Sequence, residues 1–202
     1  PDNEEFQAAK AKNIPMLTRA QLLGQIMTNY KYSVAVSGTH GKTTTTAMLS
    51  YIMLEADVDP TISVGGIIDD IGGNIRVGSS DYFVTEACEY TNSFHAFSPY
   101  ISIILNVDAD HLDFFSGIEE IAESFHTFAT KTPENGKVIV NGDMKYFDTV
   151  TRDLKCQVIT FGEDPKNHYS AANIRFDEFG RPTYTLVIDG ENITDITLHV
   201  FG

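Results

Sequence analysis

The run Val36-Ser37-Gly38-Thr39-His40-Gly41-Lys42-Thr43-Thr44 holds the residues best suited to chemistry on a polyphosphate. Small residues let a backbone wrap phosphate oxygens, and a helix opening at about Lys42 would aim free N–H groups and a positive dipole end at them. In that setting the Lys42 ammonium reaches the β- and γ-phosphates and the Thr43 hydroxyl sits on Mg²⁺. The common form of such a loop has a glycine five residues before Gly41, where this chain has Val36, so the loop is a shortened variant. The competing reading is a Gly-rich turn with an incidental lysine, and the strand-then-helix context argues against it. His40 is read as a loop residue near phosphate, with no proton-transfer role.

Two more constellations follow apolar runs: Thr85-Glu86-Ala87-Cys88-Glu89-Tyr90 and Asn106-Val107-Asp108-Ala109-Asp110-His111. Open α/β sheets place their ligands at the carboxyl ends of strands, so both are expected to face the loop. A hard cation takes oxygen ligands and keeps several waters while bridging phosphates, which suits Glu86; imidazole is a less usual Mg²⁺ ligand. Spacing alone leaves Glu86 open between metal ligand and helix-capping acid, and His111 between metal partner and ordinary corner residue. Glu89, Asp108, Asp110 and Asp113 read as solvated or helix-capping acids. Cys88 has no activating base in its local sequence and reads as a small buried thiol.

The elements that must position these residues follow from periodicity. Helical patterns are expected at Glu4 to Lys12, Thr18 to Asn29, Lys42 to Glu55, Ile118 to Ala129 and Lys145 to Asp153. Short apolar runs at Tyr32 to Val36, Thr61 to Val64, Tyr82 to Thr85, Ile101 to Leu105, Val138 to Val140 and Gln157 to Phe161 read as strands. Their alternation with helices predicts an α/β fold with a mostly parallel, P-loop-type sheet flanked by helices. After about Ser170, Phe179-Gly180 and Asp189-Gly190 punctuate alternating runs at Thr183 to Ile188 and Ile193 to Val200, which predicts a small antiparallel β appendage.

Asp and Glu total 28 against 14 Lys and Arg, so the surface repels nucleic-acid backbones and anionic lipid heads. Two cysteines, Cys88 and Cys156, make neither a disulfide framework nor a zinc site, and a reducing cytoplasm is the simplest reading. No stretch approaches the roughly 20 apolar residues of a membrane span, and residues 1–20 lack a signal-peptide core.

Gly38-Thr39-His40-Gly41-Lys42-Thr43, then Glu86-Ala87-Cys88-Glu89-Tyr90 with Ser93-Phe94, then Asn106-x-x-x-Asp110-His111-x-Asp113 together resemble the ordered motifs of the Mur ligase family, in the form found in its alanine-adding subgroup. The family's Gly-Thr-x-Gly-Lys-Thr/Ser loop accounts for the missing early glycine, and the resemblance runs from about Asn13 to the end. It implies ATP and Mg²⁺ as cofactors, with UDP-N-acetylmuramate and L-alanine as partners of the full-length enzyme. It further implies that Gly38, Thr39, His40, Gly41, Lys42, Thr43, Thr44 and Asn106 bind nucleotide, and that Lys42 stabilises the transferring phosphoryl group. By the same resemblance Thr43 and Glu86 hold one Mg²⁺, and Glu86 with His111 a second.

The resemblance also implies that residues 1–31 are the tail of a sugar-nucleotide domain and 32–202 the ATP-binding domain. Leu198-His199-Val200-Phe201-Gly202 then looks like the lead into a Gly-x-His-Asn helix motif. A fragment that binds ATP weakly and is inactive alone is expected. Some relatives carry a carbamylated lysine after the Asp-His motif; Leu112 to Thr130 has no lysine and His126 occupies that neighbourhood, so the modification is not expected. The related murein-tripeptide recycling ligases share the loop and stay open as an alternative. A GTPase-like switch is disfavoured by the lack of an Asn-Lys-x-Asp motif, and a non-catalytic nucleotide module is a third reading.

Overall fold

A computed structural model describes residues 3–199. Two helices open the described chain. In α1 (Glu4–Ala11) the Asn3 side chain caps the Phe6 amide, and no residue of the helix is buried. A reciprocal capping box between Thr18 and Gln21 starts α2 (Arg19–Met27), satisfying two amides that a helix start would otherwise leave free. Met27 is buried, and a Cβ on Gly24 would lie 2.1 Å from the Ala96 carbonyl oxygen. Only glycine lets the α2 backbone come that close.

The β/α body follows: β1 (Tyr32–Ser37), α3 (Lys42–Glu55), β2 (Thr61–Ile68), β3 (Gly73–Arg76), β4 (Tyr82–Glu86), β5 (Ile101–Ile104), α4 (Ile118–Ala129), β6 (Lys137–Asn141), α5 (Phe147–Thr151) and β7 (Gln157–Gly162). Three further strands, β8 (Tyr169–Phe176), β9 (Pro182–Ile188) and β10 (Glu191–Thr197), follow, with β9 antiparallel to both β8 and β10. All ten strands join in one sheet ordered β10-β9-β8-β7-β6-β5-β1-β4-β2-β3. The predicted appendage is therefore continuous with the main sheet, through parallel pairing of Phe161 with Tyr169 and Gly162 with Ser170.

Strand β1 is central, buried from Ser33 to Ser37, and pairs in parallel with β4 on one side and β5 on the other. After β1 the chain adds strands on the β4 side, then returns past β1 to β5. A crevice opens at such a reversal of strand order, beyond the carboxyl ends of the strands.

The main core lies under α4, whose Ile118, Ile121, Ala122, Phe125, Phe128 and Ala129 recur at helical spacing and face inward. Phe94 stacks on Phe128 at 4.7 Å and meets Phe125 edge-on at 5.2 Å. Phe94 belongs to a 3-10 turn, Tyr90–Ala96, in which Thr91 and Asn92 adopt left-handed backbone. Asn92 receives a hydrogen bond from the Ser124 hydroxyl, and His95 Nε2 lies 2.9 Å from the Ser124 carbonyl oxygen. Aromatic packing and polar contacts together pin this turn to α4.

Several expected boundaries are corrected. The run at Thr61 to Val64 continues as β2 through Gly65 and Gly66 to Ile68, then pairs antiparallel with β3, a strand the sequence did not announce. The helix expected at Lys145 to Asp153 is shorter, because Met144 starts a turn and Arg152 leaves helical backbone at ψ 131°. Val200, at the end of the last expected strand, and the following two residues of the presumed lead into a helix motif lie outside the described residues. Among the described residues no helix is long and apolar enough to cross a membrane.

Candidate phosphate-binding site

The loop between β1 and α3 is shaped by two glycines with positive φ, Gly38 at 147° and Gly41 at 84°. A Cβ at Gly38 would press on Leu105 at 2.9 Å, so this position needs a hydrogen for both conformation and space. Gly41 is the N-cap of α3 and offers no side-chain cap. The Thr45 amide is bonded to the Gly41 carbonyl, so the earlier amides of the first turn, at Lys42, Thr43 and Thr44, face outward as donors for a ligand.

Asn106 grips the loop from the end of β5: its Oδ1 accepts from the His40 amide at 2.8 Å and its Nδ2 donates to the His40 carbonyl at 3.0 Å. The Thr39 hydroxyl accepts from the Asp108 amide at 2.9 Å, and the Thr39 amide donates to the Asn106 carbonyl. These bonds hold the loop in shape from a neighbouring strand. Asn106 and Thr39 thus shape the loop, whereas His40, Gly41, Thr43 and Thr44 are exposed at its mouth.

Glu86 ends β4 beside Val36 of β1. Its two oxygens accept from the Thr43 hydroxyl at 3.1 Å and from the Gly65 amide at 2.6 Å. A Cβ at Gly65 would sit 2.9 Å from one of those oxygens, which explains why β2 carries a glycine there. Thr43 and Glu86 form an all-oxygen set of one hydroxyl and one carboxylate. That chemistry fits a hard cation such as Mg²⁺, which draws few ligands from protein and keeps its waters. Among the described residues no group of three or more His, Cys, Asp or Glu side chains gathers into a metal cluster.

His111 is placed differently from Glu86. It holds left-handed backbone at φ 51°, its amide bonded to Asp110 Oδ1 at 2.7 Å. Its Nε2 lies 3.6 Å from Glu89 Oε1, and its ring packs on Tyr90 at 4.6 Å. Tyr90 donates its hydroxyl to Asp113 at 2.8 Å, and that bond raises the phenol above its usual pKa. Among the described residues no hydrogen bond or ion pair joins His111 to Glu86.

Glu89 corrects the sequence reading most. Expected as a solvated or capping acid, it is 1% exposed and paired with Lys42, whose Nζ lies 2.9 Å and 3.1 Å from its two oxygens. Lys42 also donates to the Gly38 and Thr39 carbonyls, at 2.6 Å and 3.1 Å. One signal that could have found Glu89 is Phe94 five residues on, whose ring packs this turn against Phe125 and Phe128. Cys88 is corrected the other way: it is exposed, and with Arg19, Ser63, Gly65, Glu86 and Ser93 it lines a cavity of about 90 Å³ next to Glu86. Asp108 is exposed, and His126 points away, its Nδ1 3.2 Å from the Val150 carbonyl oxygen.

A family model described as Mur ligase middle domain matches residues 36–202. The UDP-N-acetylmuramate--L-alanine ligase of Lachnospira eligens is 58% identical over 203 residues, covering 100% of this chain and 44% of the relative. The UDP-N-acetylmuramate-alanine ligase of Thermotoga maritima superposes with a TM-score of 0.83 at 26% identity, over 100% of this chain and 45% of that one. The UDP-N-acetylmuramate:L-alanyl-gamma-D-glutamyl-meso-diaminopimelate ligase from Neisseria meningitides gives a TM-score of 0.85 at 24% identity, over 98% and 64% of the two chains. That last likeness is one of fold. The chain spans less than half the length of the L-alanine-ligase relatives.

Proposed function

Because the chain belongs to the Mur ligase middle-domain family, we propose that it is the nucleotide-binding part of an ATP-dependent ligase joining L-alanine to UDP-N-acetylmuramate. The observation that carries this reading is the gathering of Lys42, Thr43 and Glu86 at one glycine-shaped loop, by contacts of 2.6 to 3.1 Å. The choice of L-alanine rests on the L-alanine ligase similar to this chain along its whole length. In this proposal residues 1–31 lead in from a sugar-nucleotide domain, 32–202 form the ATP-binding domain, and the enzyme works in the cytoplasm.

The reaction this site would serve has two displacements. A substrate carboxylate oxygen attacks the γ-phosphorus of ATP, the bond to the β-phosphate oxygen breaks, and ADP leaves. The amine of L-alanine then attacks the acyl carbon, phosphate departs with the C–O bond electrons, and the nitrogen loses a proton. Neither step needs a protein nucleophile, so the site's work is positioning and neutralising charge. The loop amides and Lys42 hold the phosphates, Asn106 keeps the loop in shape, and the cavity beside Glu86 leaves room for the attacking carboxylate. Thr43 and Glu86 would hold one Mg²⁺, with His111 toward a second, and the ion supplies charge neutralisation at the phosphoryl oxygens.

Calorimetric titration with a non-hydrolysable ATP analogue, with and without Mg²⁺, tests the reading. The expected result is Mg²⁺-dependent binding that is lost in Lys42→Ala; equal binding by that variant would sink the assignment.

A further inference from the structure

The roles proposed for Lys42, Thr43, Glu86 and His111 leave one buried acid of the site without a task. Glu89 is 1% exposed, and a buried carboxylate persists only when it is paired. Its partner is the lysine that the phosphates require.

An ammonium has three N–H donors and no acceptor. Here the Gly38 carbonyl, the Thr39 carbonyl and Glu89 take up all of that capacity. A phosphate arriving at the loop therefore has to displace one of these partners. Uncovering a neutral carbonyl costs less than uncovering a desolvated carboxylate, so the carbonyls are the partners exchanged and Glu89 is the one retained. Glu89 also lies 3.6 Å from His111 Nε2, whose ring is backed by Tyr90. One carboxylate thus faces the basic groups of two separate motifs.

We propose that Glu89 is the positioning residue for Lys42: it keeps the ammonium at the loop while phosphate replaces the carbonyls, so that positive charge meets the transferring phosphoryl group from a fixed point. This rests on the nucleotide reading of the loop. It assigns Glu89 an effect on the chemical step rather than on ground-state binding. A neutral amide of the same shape leaves Lys42 free to pair with phosphate, yet no longer fixes where it stands.

The test uses the full-length protein with Glu89→Gln, Glu89→Asp and Lys42→Ala, reading kcat, the calorimetric Kd for a non-hydrolysable ATP analogue and the melting temperature. For Glu89→Gln, kcat is expected to fall about tenfold or more while Kd changes by less than about threefold, the pattern of an interaction realised in the transition state. Glu89→Asp, which keeps the charge on a shorter arm, is expected to recover part of kcat, and it carries the test alone should the glutamine variant not fold. Unchanged kcat in a folded variant overturns the inference and leaves the nucleotide reading standing. Parallel losses of kcat, Kd and melting temperature also overturn it, since they mark a structural residue. Failure of the unsubstituted protein to bind the analogue overturns the nucleotide reading, and this inference with it.

Discussion

Beyond the carboxyl ends of β1, β4 and β5, polar side chains tie different elements together: Glu86 joins α3 to β2, Asn106 joins the end of β5 to the loop, and Glu89 joins the turn after β4 to Lys42. In the β8–β9–β10 extension the polar contacts stay among the three strands: the Thr185 hydroxyl of β9 donates to Asp195 of β10 at 2.7 Å, and Arg175 reaches from β8 across β9 to the same carboxylate at 2.9 Å. Both partners of the Arg175 pair are more than half exposed, where an ion pair contributes little. The glycines differ in the same way. Gly38 and Gly65 are pressed by neighbours, whereas a Cβ at Gly180 or Gly190 would meet nothing within 4 Å. The contrast teaches that one sheet can carry a region whose glycines answer to close neighbours beside one whose glycines, Gly180 and Gly190 at φ 76° and 84°, answer to turn conformation alone.

Substitutions can break or sharpen that contrast. Phe125→Ala removes a fully buried ring that meets Phe94 edge-on, and should cost about 3–5 kcal/mol in chemical denaturation. A loss under about 1 kcal/mol would mean that α4 does not anchor the motif-bearing turn. Gly65→Ala should leave the melting temperature near that of the parent but weaken Mg²⁺-dependent nucleotide binding roughly tenfold, about 1.4 kcal/mol, by crowding the Glu86 carboxylate. Unaltered binding there would argue that Glu86 is free to move.

Asp59 gives a pH test away from both regions. Hydrogen bonds from the Ser79 hydroxyl and amide, then from Arg76, hold its carboxyl at about 2, below the ordinary 3.8. A depressed acid stabilises the fold above its unfolded value, so this contribution is complete above pH 3.8 and disappears as pH falls toward about 2. Asp59→Asn should therefore flatten the fall of stability across that window in acid titrations, and an identical slope would refute the pairing. The smallest effect is expected for Ile193→Ser on β10, 53% exposed, within about 0.5 kcal/mol of the parent.

The loop, α3 and α4 were legible because their signals are local. Glycines at a strand-to-helix junction and apolar residues at helical spacing need no partner to be recognised. What sequence hid is what depends on distant contacts. Gly65-Gly66 looks like the end of a strand, yet β2 runs on: Glu86 at the end of neighbouring β4 takes the Gly65 amide, and Ile68 pairs with Gly73 of β3. Glu89 and Cys88 are neighbours in sequence with opposite fates, one buried and one exposed. The turn that follows them, Tyr90–Ala96, holds left-handed backbone at Thr91 and Asn92, and its place is fixed by the packing of Phe94 on α4. Glu86 was placed correctly beside the loop. For His111, the expected position near the loop gave no hint that its Nε2 would face Glu89 rather than Glu86.

The near-contact of Gly24 with the Ala96 carbonyl links the second helix to this site. Main chain rests on main chain there, with no intervening rotamer to yield when the helix is pushed. The place of α2 is thereby tied to the turn that runs from Tyr90 to Ala96, and any side chain larger than hydrogen at position 24 would have to push the two apart.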